Sequence, residues 1–440
     1  MVTDAHQSHS HNQSHTYRIL VLFEDCASTR KRRQRQQSYQ HKDKRFSEKR
    51  KKMVMEMGDG DEAGAGACLF CICVNVKGLD NGLVLTPPMG WMPFERYRCM
   101  TDCVRFPRDC ISERLFRRTA DLLVSEGYAK VGYKYLIIDD CWMERQRDTT
   151  TDELLPNENR FPSGMNDLSN YIHNRGLKFG LYHDVGYKTC MYQGPGAIDH
   201  FELDAKTFAS WGVDYIKMDG CYASERDLDK GYPAFGQALN NTKRPMVYSC
   251  SWPFYKSKPN YQLIKKHCNL WRFAEDINDS YESIANIMQI YHKQQHLLAN
   301  HSGPGHWNDP DMLVLGNYFL SYDQSRLQFA IWAVIAAPLI MTNDLETVRP
   351  EIKALLQNRD IIAINQDRLG NPGKCILTKH NFQIWARPVE PINDMGIESF
   401  AIAFVNHGEF PQCPLCPQTY NVFLNEMNLV NPMGYTVVLK

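Results

Sequence analysis

Charged side chains follow short apolar runs at several places in the chain, and the clearest case is Tyr215 to Cys221. There the apolar residues lead to Lys217 and then to Asp219, and the run stops at Gly220. A buried strand has no structural use for a carboxylate at its end, whereas barrel enzymes place catalytic groups there. An aspartate that caps the next helix is the alternative, and this segment alone does not decide between the two.

The same pattern recurs along the chain, which favours the catalytic interpretation. The ends of the apolar runs supply a cluster of carboxylates, aromatic rings and cations: Trp91, Asp139, Asp140, Tyr182, Asp184, Lys217, Asp219, Ser251, Arg272, Asp276, Asp309 and Asp311. Hydrolysis of a glycosidic bond needs one carboxylate as nucleophile and one carboxylic acid to protonate the leaving oxygen. Lys217 beside Asp219 would keep that carboxylate ionised, and Arg272 could do the same for Asp276.

Two other chemistries fit this cluster less well. The run ends supply no Ser-His-Asp set. The carboxylates could bind a divalent metal, but metal sites usually combine carboxylates with histidine, and His183 should point away from Tyr182 and Asp184 because strand residues alternate between faces. We therefore expect neither a metal nor another cofactor.

Eight apolar runs alternate with amphipathic segments from Leu79 onward. Alternating strands and helices predict an α/β fold with a parallel sheet, and eight units over about 275 residues match a (β/α)8 TIM barrel. A doubly wound open sheet is the alternative, but no Gly-x-Gly-x-x-Gly loop follows an early strand. The runs cover residues 87–91, 135–142, 178–184, 215–221, 245–252, 270–276, 306–312 and 337–344.

Three regions are predicted from these patterns. The catalytic barrel covers residues 78–365, and a small antiparallel β domain over residues 366–440 is predicted from alternating apolar and polar residues. The chain stops at Lys440 within a strand-like run, so a complete and an incomplete β domain are both compatible with the sequence. Residues 1–77 are predicted to be a disordered or non-native extension, since 12 of the 23 residues from 30 to 52 are Lys or Arg.

Charge and hydropathy give no reason to expect a nucleic-acid or membrane partner. Residues 1–75 hold 13 Lys or Arg and nine Asp or Glu, which leaves 37 basic and 41 acidic residues in 76–440. No apolar run reaches the roughly 18 residues of a membrane span. The basic run at 30–52 could be a nuclear-localisation or nucleic-acid patch, but nothing downstream supports that interpretation.

Cysteine usage favours an oxidising compartment. The chain has 15 cysteines, and the eight between Cys99 and Cys268 include no Cys-x-x-Cys pair. Spread cysteines in even number are typical of disulfides, and buried free thiols in a cytosolic protein are the alternative.

Long ordered motifs between Leu79 and about Asp367 resemble glycoside hydrolase family 27, the group of lysosomal α-galactosidases and α-N-acetylgalactosaminidases. They lie at residues 79–83, 88–91, 136–142, 217–221, 249–255, 271–280 and 303–313. The resemblance implies a retaining exo-glycosidase that removes terminal α-linked N-acetylgalactosamine from glycolipids and glycopeptides. An α-galactosidase or a dual-specificity enzyme is the alternative, and a catalytically dead sugar-binding barrel is a weaker one because both catalytic carboxylates are present.

The resemblance also implies roles for individual residues. Asp219 would be the nucleophile and Asp276 the acid/base, while Asp139 and Asp140 would bind the O4 and O6 hydroxyls of a galacto-sugar. The other substrate-binding positions are Phe94, Tyr182, Lys217, Ser251, Phe254, Tyr255 and Arg272.

Two of these positions, Ser251 and Phe254, bear on sugar preference, and Phe94 departs from the family pattern. The α-galactosidases carry glutamate at the position of Ser251, which excludes an acetamido group, whereas the N-acetylgalactosaminidases carry serine. Phe254 is larger than the leucine of the first group or the alanine of the second. Phe94 stands where the family usually has tryptophan.

Covalent features and location follow from the same resemblance. The family's disulfides map to Cys99–Cys141, Cys103–Cys110, Cys190–Cys221 and Cys250–Cys268. Asn240 occupies a family N-glycan position, and Asn300 begins a second acceptor pattern. We expect a homodimer in the lysosome or secretory pathway, although no ordinary signal peptide opens the chain.

Overall fold

The computed structural model describes residues 18–25, 81–379, 381–407, 423–427, 429 and 435–439. Its first element is strand β1 (Arg18–Asp25). The next eight strands in the chain belong to the predicted barrel: β2 (Met89–Trp91), β3 (Tyr135–Ile138), β4 (Lys178–Asp184), β5 (Tyr215–Asp219), β6 (Val247–Cys250), β7 (Leu270–Arg272), β8 (Trp307–Asp309) and β9 (Leu339–Met341).

The barrel strands form one parallel sheet in the order β8-β7-β6-β5-β4-β3-β2-β9. A parallel bridge between Leu313, which follows β8, and Met341 in β9 joins the two ends of this order. Strands β3, β6 and β7 are buried along their whole length, which explains why they read as continuous apolar runs. The predicted (β/α)8 barrel is confirmed, and each of its eight runs contains one strand.

Helices fill the segments between the strands. They are α1 (Phe94–Tyr97), α2 (Glu113–Ser125), α3 (Gly164–His173), α4 (Phe201–Ser210), α5 (Glu225–Asn241), α6 (Tyr261–Ile264), α7 (Tyr281–His301), α8 (Tyr322–Val334), α9 (Pro350–Leu356) and α10 (Arg359–Asn365). Local sequence sets their ends: in α5 the Ser224 hydroxyl accepts the Asp227 N–H while the Asp227 carboxylate accepts the Ser224 N–H. Within the described residues, no helix has both the length and the apolar character needed to cross a membrane.

A second sheet follows the barrel in the chain. It contains β10 (Lys374–Lys379), β11 (Phe382–Ile392), β12 (Glu398–Asn406) and β13 (Thr436–Leu439), together with β1, in the order β10-β11-β12-β1-β13. Strands β10, β11 and β12 pair antiparallel, as predicted. Strand β1 runs parallel to both β12 and β13, so the whole sheet is mixed.

Strand β1 lies within residues 1–77, the part of the chain that the sequence predicts to be a disordered or non-native extension. There Arg18–Asp25 forms a strand in the second sheet. This segment contains Ile19-Leu20-Val21-Leu22-Phe23, a run with strong strand preference whose signal is hidden by the polar and basic residues around it. The rest of that predicted extension lies outside the described residues, and the boundaries at 78–365 and 366–440 stay a prediction.

The second sheet packs directly on the barrel. The buried Arg387 of β11 donates hydrogen bonds to the carbonyl oxygens of Ala333, Ile364 and Asn365, at 2.9, 2.6 and 3.1 Å. The side chain of Gln295 in α7 bonds to both the N–H and the carbonyl oxygen of one β10 residue. A buried cation paired with backbone carbonyls therefore joins the two parts.

Candidate active site

One pocket, with a volume of about 160 Å³, lies at the carboxyl ends of the barrel strands. All eleven residues predicted to act in catalysis or substrate binding line it, together with Cys190, Met191 and Cys221. The eleven are Phe94, Asp139, Asp140, Tyr182, Lys217, Asp219, Ser251, Phe254, Tyr255, Arg272 and Asp276. Pockets for drug-sized ligands measure about 300–1,000 Å³, so this one suits a single sugar ring.

Asp219 is the last residue of β5 and is held from two sides. The Tyr255 hydroxyl donates to its Oδ1 at 2.7 Å, and the Gly220 N–H donates to the same oxygen at 3.0 Å. A Cβ at Gly220 would lie only 2.8 Å from the Tyr255 ring, so glycine is needed for this approach. Burial raises the pKa of Tyr255 far above its usual range, and the Asp219 charge adds to this, which keeps the hydroxyl a proton donor.

Lys217 pairs with Asp139 across the pocket floor. Its Nζ lies 2.7 Å from Asp139 Oδ2, and it also lies 5.3 Å from the ring centre of Phe94 and 5.4 Å from that of Tyr182. Burial alone would lower the pKa of Lys217, but the nearby Asp139 and Asp219 outweigh it and raise the pKa. The direct partner of Lys217 is therefore Asp139. Lys217 interacts with Asp219 through the attraction between their charges, without a direct hydrogen bond.

Asp140 is buried beside Asp139 and is fixed by backbone donors. Its Oδ1 accepts the Cys141 N–H at 2.5 Å, and its Oδ2 accepts the Met191 N–H at 2.9 Å. Burial raises the pKa of Asp140 to about 6. Two neighbouring carboxylates thus reach the pocket from the end of β3, where sugar hydroxyls could pair with them.

Asp276 follows β7 and remains more accessible than the other carboxylates. The Arg272 guanidinium lies 3.1 Å from its Oδ1 and 3.2 Å from Asp311 Oδ2, while 58% of the Asp276 side chain is exposed. Burial would raise the pKa of Asp276, but Arg272 and Lys217 outweigh it, so the pKa lies below its usual value. A ligand that excludes water from this carboxyl would shift the balance towards the protonated form.

Two further carboxylates organise the site, although no individual role was predicted for either. Asp311 Oδ2 accepts the Ile277 N–H at 2.9 Å while it pairs with Arg272. Asp184 accepts the N–H groups of Gly186 and Cys221, which links the loops after β4 and β5. Both belonged to the predicted cluster of strand-end residues, and their position in that cluster was the signal that could have identified them.

Phe254 and Tyr255 belong to a short 3-10 turn at Trp252–Tyr255 that follows β6, and Ser251 directly precedes this turn. Ser251 is buried in the pocket wall, whereas 44% of Phe254 is exposed. The Phe254 and Tyr255 rings meet edge to face, with centroids 5.1 Å apart. The small hydroxyl therefore faces the pocket from a fixed place, and the larger ring lies at its rim.

All four expected disulfides are present: Cys99–Cys141, Cys103–Cys110, Cys190–Cys221 and Cys250–Cys268. The third of them joins the loops after β4 and β5, and both of its cysteines line the pocket. Met191, next to Cys190, is a pocket residue that sequence reasoning missed, because nothing in an isolated loop methionine indicates a site.

A metal does not fit the carboxylates of this pocket. In the described part of the chain, one group of at least three potential ligand residues brings its ligand atoms within 4.8 Å of one another: Asp184, Cys190, Asp219 and Cys221. The two sulfurs are joined in a disulfide and cannot act as thiolate ligands. His183 lies outside the pocket lining, with its Nε2 2.8 Å from Asp204.

The predicted glycan acceptors lie on the surface, away from the pocket lining. Asn240 is exposed near the end of α5, and Asn300 is exposed near the end of α7. Both side chains are therefore accessible to modification.

Comparison with known proteins identifies the reaction class but does not decide which terminal sugar is removed. The family described as Alpha galactosidase A matches residues 86–367. The chain is 48% identical to the alpha-galactosidase A of Homo sapiens over 337 residues, which are 76% of this chain and 77% of that protein. It is 49% identical to the alpha-N-acetylgalactosaminidase of Gallus gallus over 316 residues, 71% of this chain and 78% of that protein. Among solved structures, alpha-galactosidase I from Mortierella vinacea matches with a TM-score of 0.62 at 31% identity, over 70% of this chain and 80% of that chain.

Proposed function

Because the chain belongs to the glycoside hydrolase family of α-galactosidase A, family 27, we propose that it removes terminal α-linked N-acetylgalactosamine from glycolipids and glycopeptides. Overall identity does not separate the two activities found among its relatives, since it is about equal for both. The observation that carries the choice is Ser251, a small residue in the pocket wall.

The first step forms a glycosyl ester at Asp219. Both hydrogen bonds that Asp219 accepts from Tyr255 and Gly220 go to Oδ1, so Oδ2 is the oxygen that attacks the anomeric carbon. The bond from that carbon to the leaving oxygen breaks, and Asp276 transfers its proton to this oxygen. Substrate bound over the exposed Asp276 removes water and raises its pKa, which supplies the protonated acid.

The second step reverses these roles. Asp276, now a carboxylate, takes a proton from a water molecule, whose oxygen attacks the anomeric carbon and releases Asp219. Arg272 favours the ionised form of Asp276 at this stage, because its guanidinium lies 3.1 Å from that carboxylate. Two displacements at one carbon give net retention of configuration.

Substrate orientation depends on the pair of carboxylates at the end of β3. Asp139 and Asp140 would accept hydrogen bonds from the O4 and O6 hydroxyls, and Lys217 holds Asp139 in place. Tyr182, Phe94 and the other lining residues limit the space to one ring. Such a closed site fits removal of a terminal sugar rather than cleavage within a glycan chain.

Sugar preference is assigned to the 3-10 turn after β6. Ser251 leaves room for an acetamido group at C2 and carries no charge that would repel it. Phe254 is larger than the residue expected in either activity group, and it could crowd the acetamido methyl. Because Phe254 is partly exposed at the pocket rim, its ring has room to rotate away from the acetamido group.

The test is kcat/KM on matched aryl α-N-acetylgalactosaminide and α-galactoside substrates. We expect the wild type to prefer the α-N-acetylgalactosaminide. Ser251→Glu should shift the ratio of the two kcat/KM values towards the galactoside by roughly 10–200-fold, the discrimination that a small change in a binding pocket provides. Phe254→Ala is the matched control in the same turn. A wild type that prefers the galactoside more than tenfold would overturn the specificity, and recovery of acetamido activity in Phe254→Ala would assign the cause to that ring.

Location and assembly are part of the same proposal. Four disulfides support folding in an oxidising compartment, so we place the protein in the lysosome or secretory pathway. Asn240 and Asn300 would carry N-glycans there, and the active form would be a homodimer. Glycosidase digestion of the purified native protein and light scattering test these two points separately.

A further inference from the structure

Two exposed tyrosines follow pocket-lining residues in the chain and have no role in the proposed function. Tyr192 is 64% exposed and Tyr222 is 51% exposed, and their rings meet edge to face with centroids 5.4 Å apart. Two exposed aromatic rings in mutual contact offer a combined apolar surface to a ligand. Lys188 adds a cation, with its Nζ 5.9 Å from the Tyr192 ring centre.

The chain places this pair directly beside the pocket. Tyr192 follows Met191, and Tyr222 follows Cys221, and both preceding residues line the pocket. The Cys190–Cys221 disulfide joins the two loops that carry these tyrosines. Both tyrosines therefore lie next to lining residues without being part of the lining themselves.

The backbone holds both tyrosines in a conformation that such residues rarely adopt. Tyr192 has φ +58° and Tyr222 has φ +51°, in the left-handed region that favours glycine. Backbone strain of this kind is concentrated at ligand-binding sites, where surrounding structure maintains it. Here the Tyr192 N–H bonds to the Thr189 carbonyl oxygen at 2.8 Å, and the Thr189 hydroxyl accepts the N–H groups of the two residues that follow Tyr192.

We propose that Tyr192 and Tyr222 form a second sugar-binding site, which takes the sugar on the leaving-group side of the scissile bond. An aromatic ring face packs against the C–H face of a sugar, and Lys188 supplies a donor for its hydroxyls. This second site rests on the proposed function, because it would bind the leaving group of that reaction. It lies outside the pocket that takes the terminal sugar. It makes the leaving sugar, and not only the terminal one, a determinant of specificity.

The test compares two substrates that share the terminal sugar and differ in the leaving group. One is a disaccharide of α-linked N-acetylgalactosamine, and the other is the α-glycosyl fluoride, whose leaving group cannot reach the tyrosines. We expect Tyr192→Ala to lower kcat/KM for the disaccharide roughly two- to tenfold, the range of an aromatic contact, and to leave the fluoride unchanged. Tyr222→Ala should do the same, while Tyr192→Phe should retain most of the activity because it keeps the ring.

Tyr322→Ala serves as the control, because this partly exposed tyrosine begins α8 and is not among the pocket-lining residues. Thermal unfolding checks that each variant is folded. Equal losses on both substrates, or no loss on either, would overturn the second site while the proposed function stands. A wild type that hydrolyses neither substrate would instead overturn the proposed function, and the second site with it.

Discussion

The chemistry depends on how each carboxylate is partnered. Asp219 receives two donors on one oxygen, Asp139 receives Lys217, and Asp276 receives Arg272. These groups line one pocket but differ in burial: burial raises the pKa of Asp139, whereas at Asp276 the charges of Arg272 and Lys217 outweigh burial and lower the pKa. The sequence identified Lys217 as a cation near Asp219, but it could not show that Asp139, 78 residues earlier, would be its direct partner.

Replacing Asp276 by alanine should separate acid catalysis from nucleophilic attack. We expect kcat/KM for a disaccharide substrate to fall by about 10²–10⁴-fold, the usual contribution of a general acid. The loss should be much smaller with the glycosyl fluoride, since its leaving group needs less help from a proton. Steady-state rates on both substrates check this, and an equal loss on both would assign Asp276 a different role.

Protonation of Asp140 should make the protein more stable in mild acid. Burial raises its pKa from 3.8 to about 6, so the folded state binds a proton more tightly than the unfolded state. The resulting stability is fully present below pH about 4 and is lost as the pH rises through about 6.

The size of this effect follows from the shift, since one pKa unit corresponds to about 1.4 kcal/mol. Between pH 4 and 7 the wild type should therefore lose about 2 kcal/mol more free energy of unfolding than Asp140→Asn, which does not titrate. Urea denaturation at several pH values measures the difference. Parallel pH profiles for the two proteins would contradict the expected titration.

At the scale of elements, the barrel strands deliver the charged groups and the loops fix them. Strand ends could be predicted because a buried parallel strand reads as an apolar run that stops at a charge. The loop residue Met191 could not, because it joins the site only through its bond to Asp140 and through the disulfide of the neighbouring Cys190.

Removal of the Cys190–Cys221 bridge should weaken both folding and catalysis. The bridge closes a separation of 31 residues, so Cys190→Ala with Cys221→Ala should cost about 3–4 kcal/mol of unfolding free energy. It should also lower kcat, because Cys221 lies two residues after Asp219. Cys103–Cys110 closes only seven residues and does not line the pocket, so the matched double variant should cost about 2 kcal/mol and keep kcat. Equal kcat in the two variants would show that the first bridge does not position the site.

At the scale of the whole molecule, the second sheet and the barrel share a core through Arg387. Burial lowers the pKa of Arg387 to about 10, which still leaves it charged at neutral pH, and its guanidinium pairs with barrel carbonyls. The sequence predicted strands here from alternation, but an arginine in such a pattern is normally assigned to the solvent face. Strand β1 was not predicted either, because polar and basic residues surround its apolar run. Its partner strands β12 and β13 come from distant parts of the chain, so the sequence around it does not indicate them.

Arg387→Leu should therefore destabilise the protein by at least about 3 kcal/mol, because each buried carbonyl left without a donor costs about 1–3 kcal/mol. Arg114 is exposed on α2, and Arg114→Leu should change the free energy of unfolding by less than about 0.5 kcal/mol. Urea denaturation provides both values. Similar values for the two variants would mean that the sheet contributes little to the stability of the barrel.

Hydrolysis of a terminal α-N-acetylgalactosaminide with retention, through Asp219, can be tested on the sugar that is released. The most direct measurement is a proton NMR time course of the sugar released from an aryl α-N-acetylgalactosaminide, with Asp219→Asn as the control. The α anomer should appear first and then mutarotate, and the variant should bind sugar but release none. Initial appearance of the β anomer, or substantial turnover by Asp219→Asn, would contradict the account.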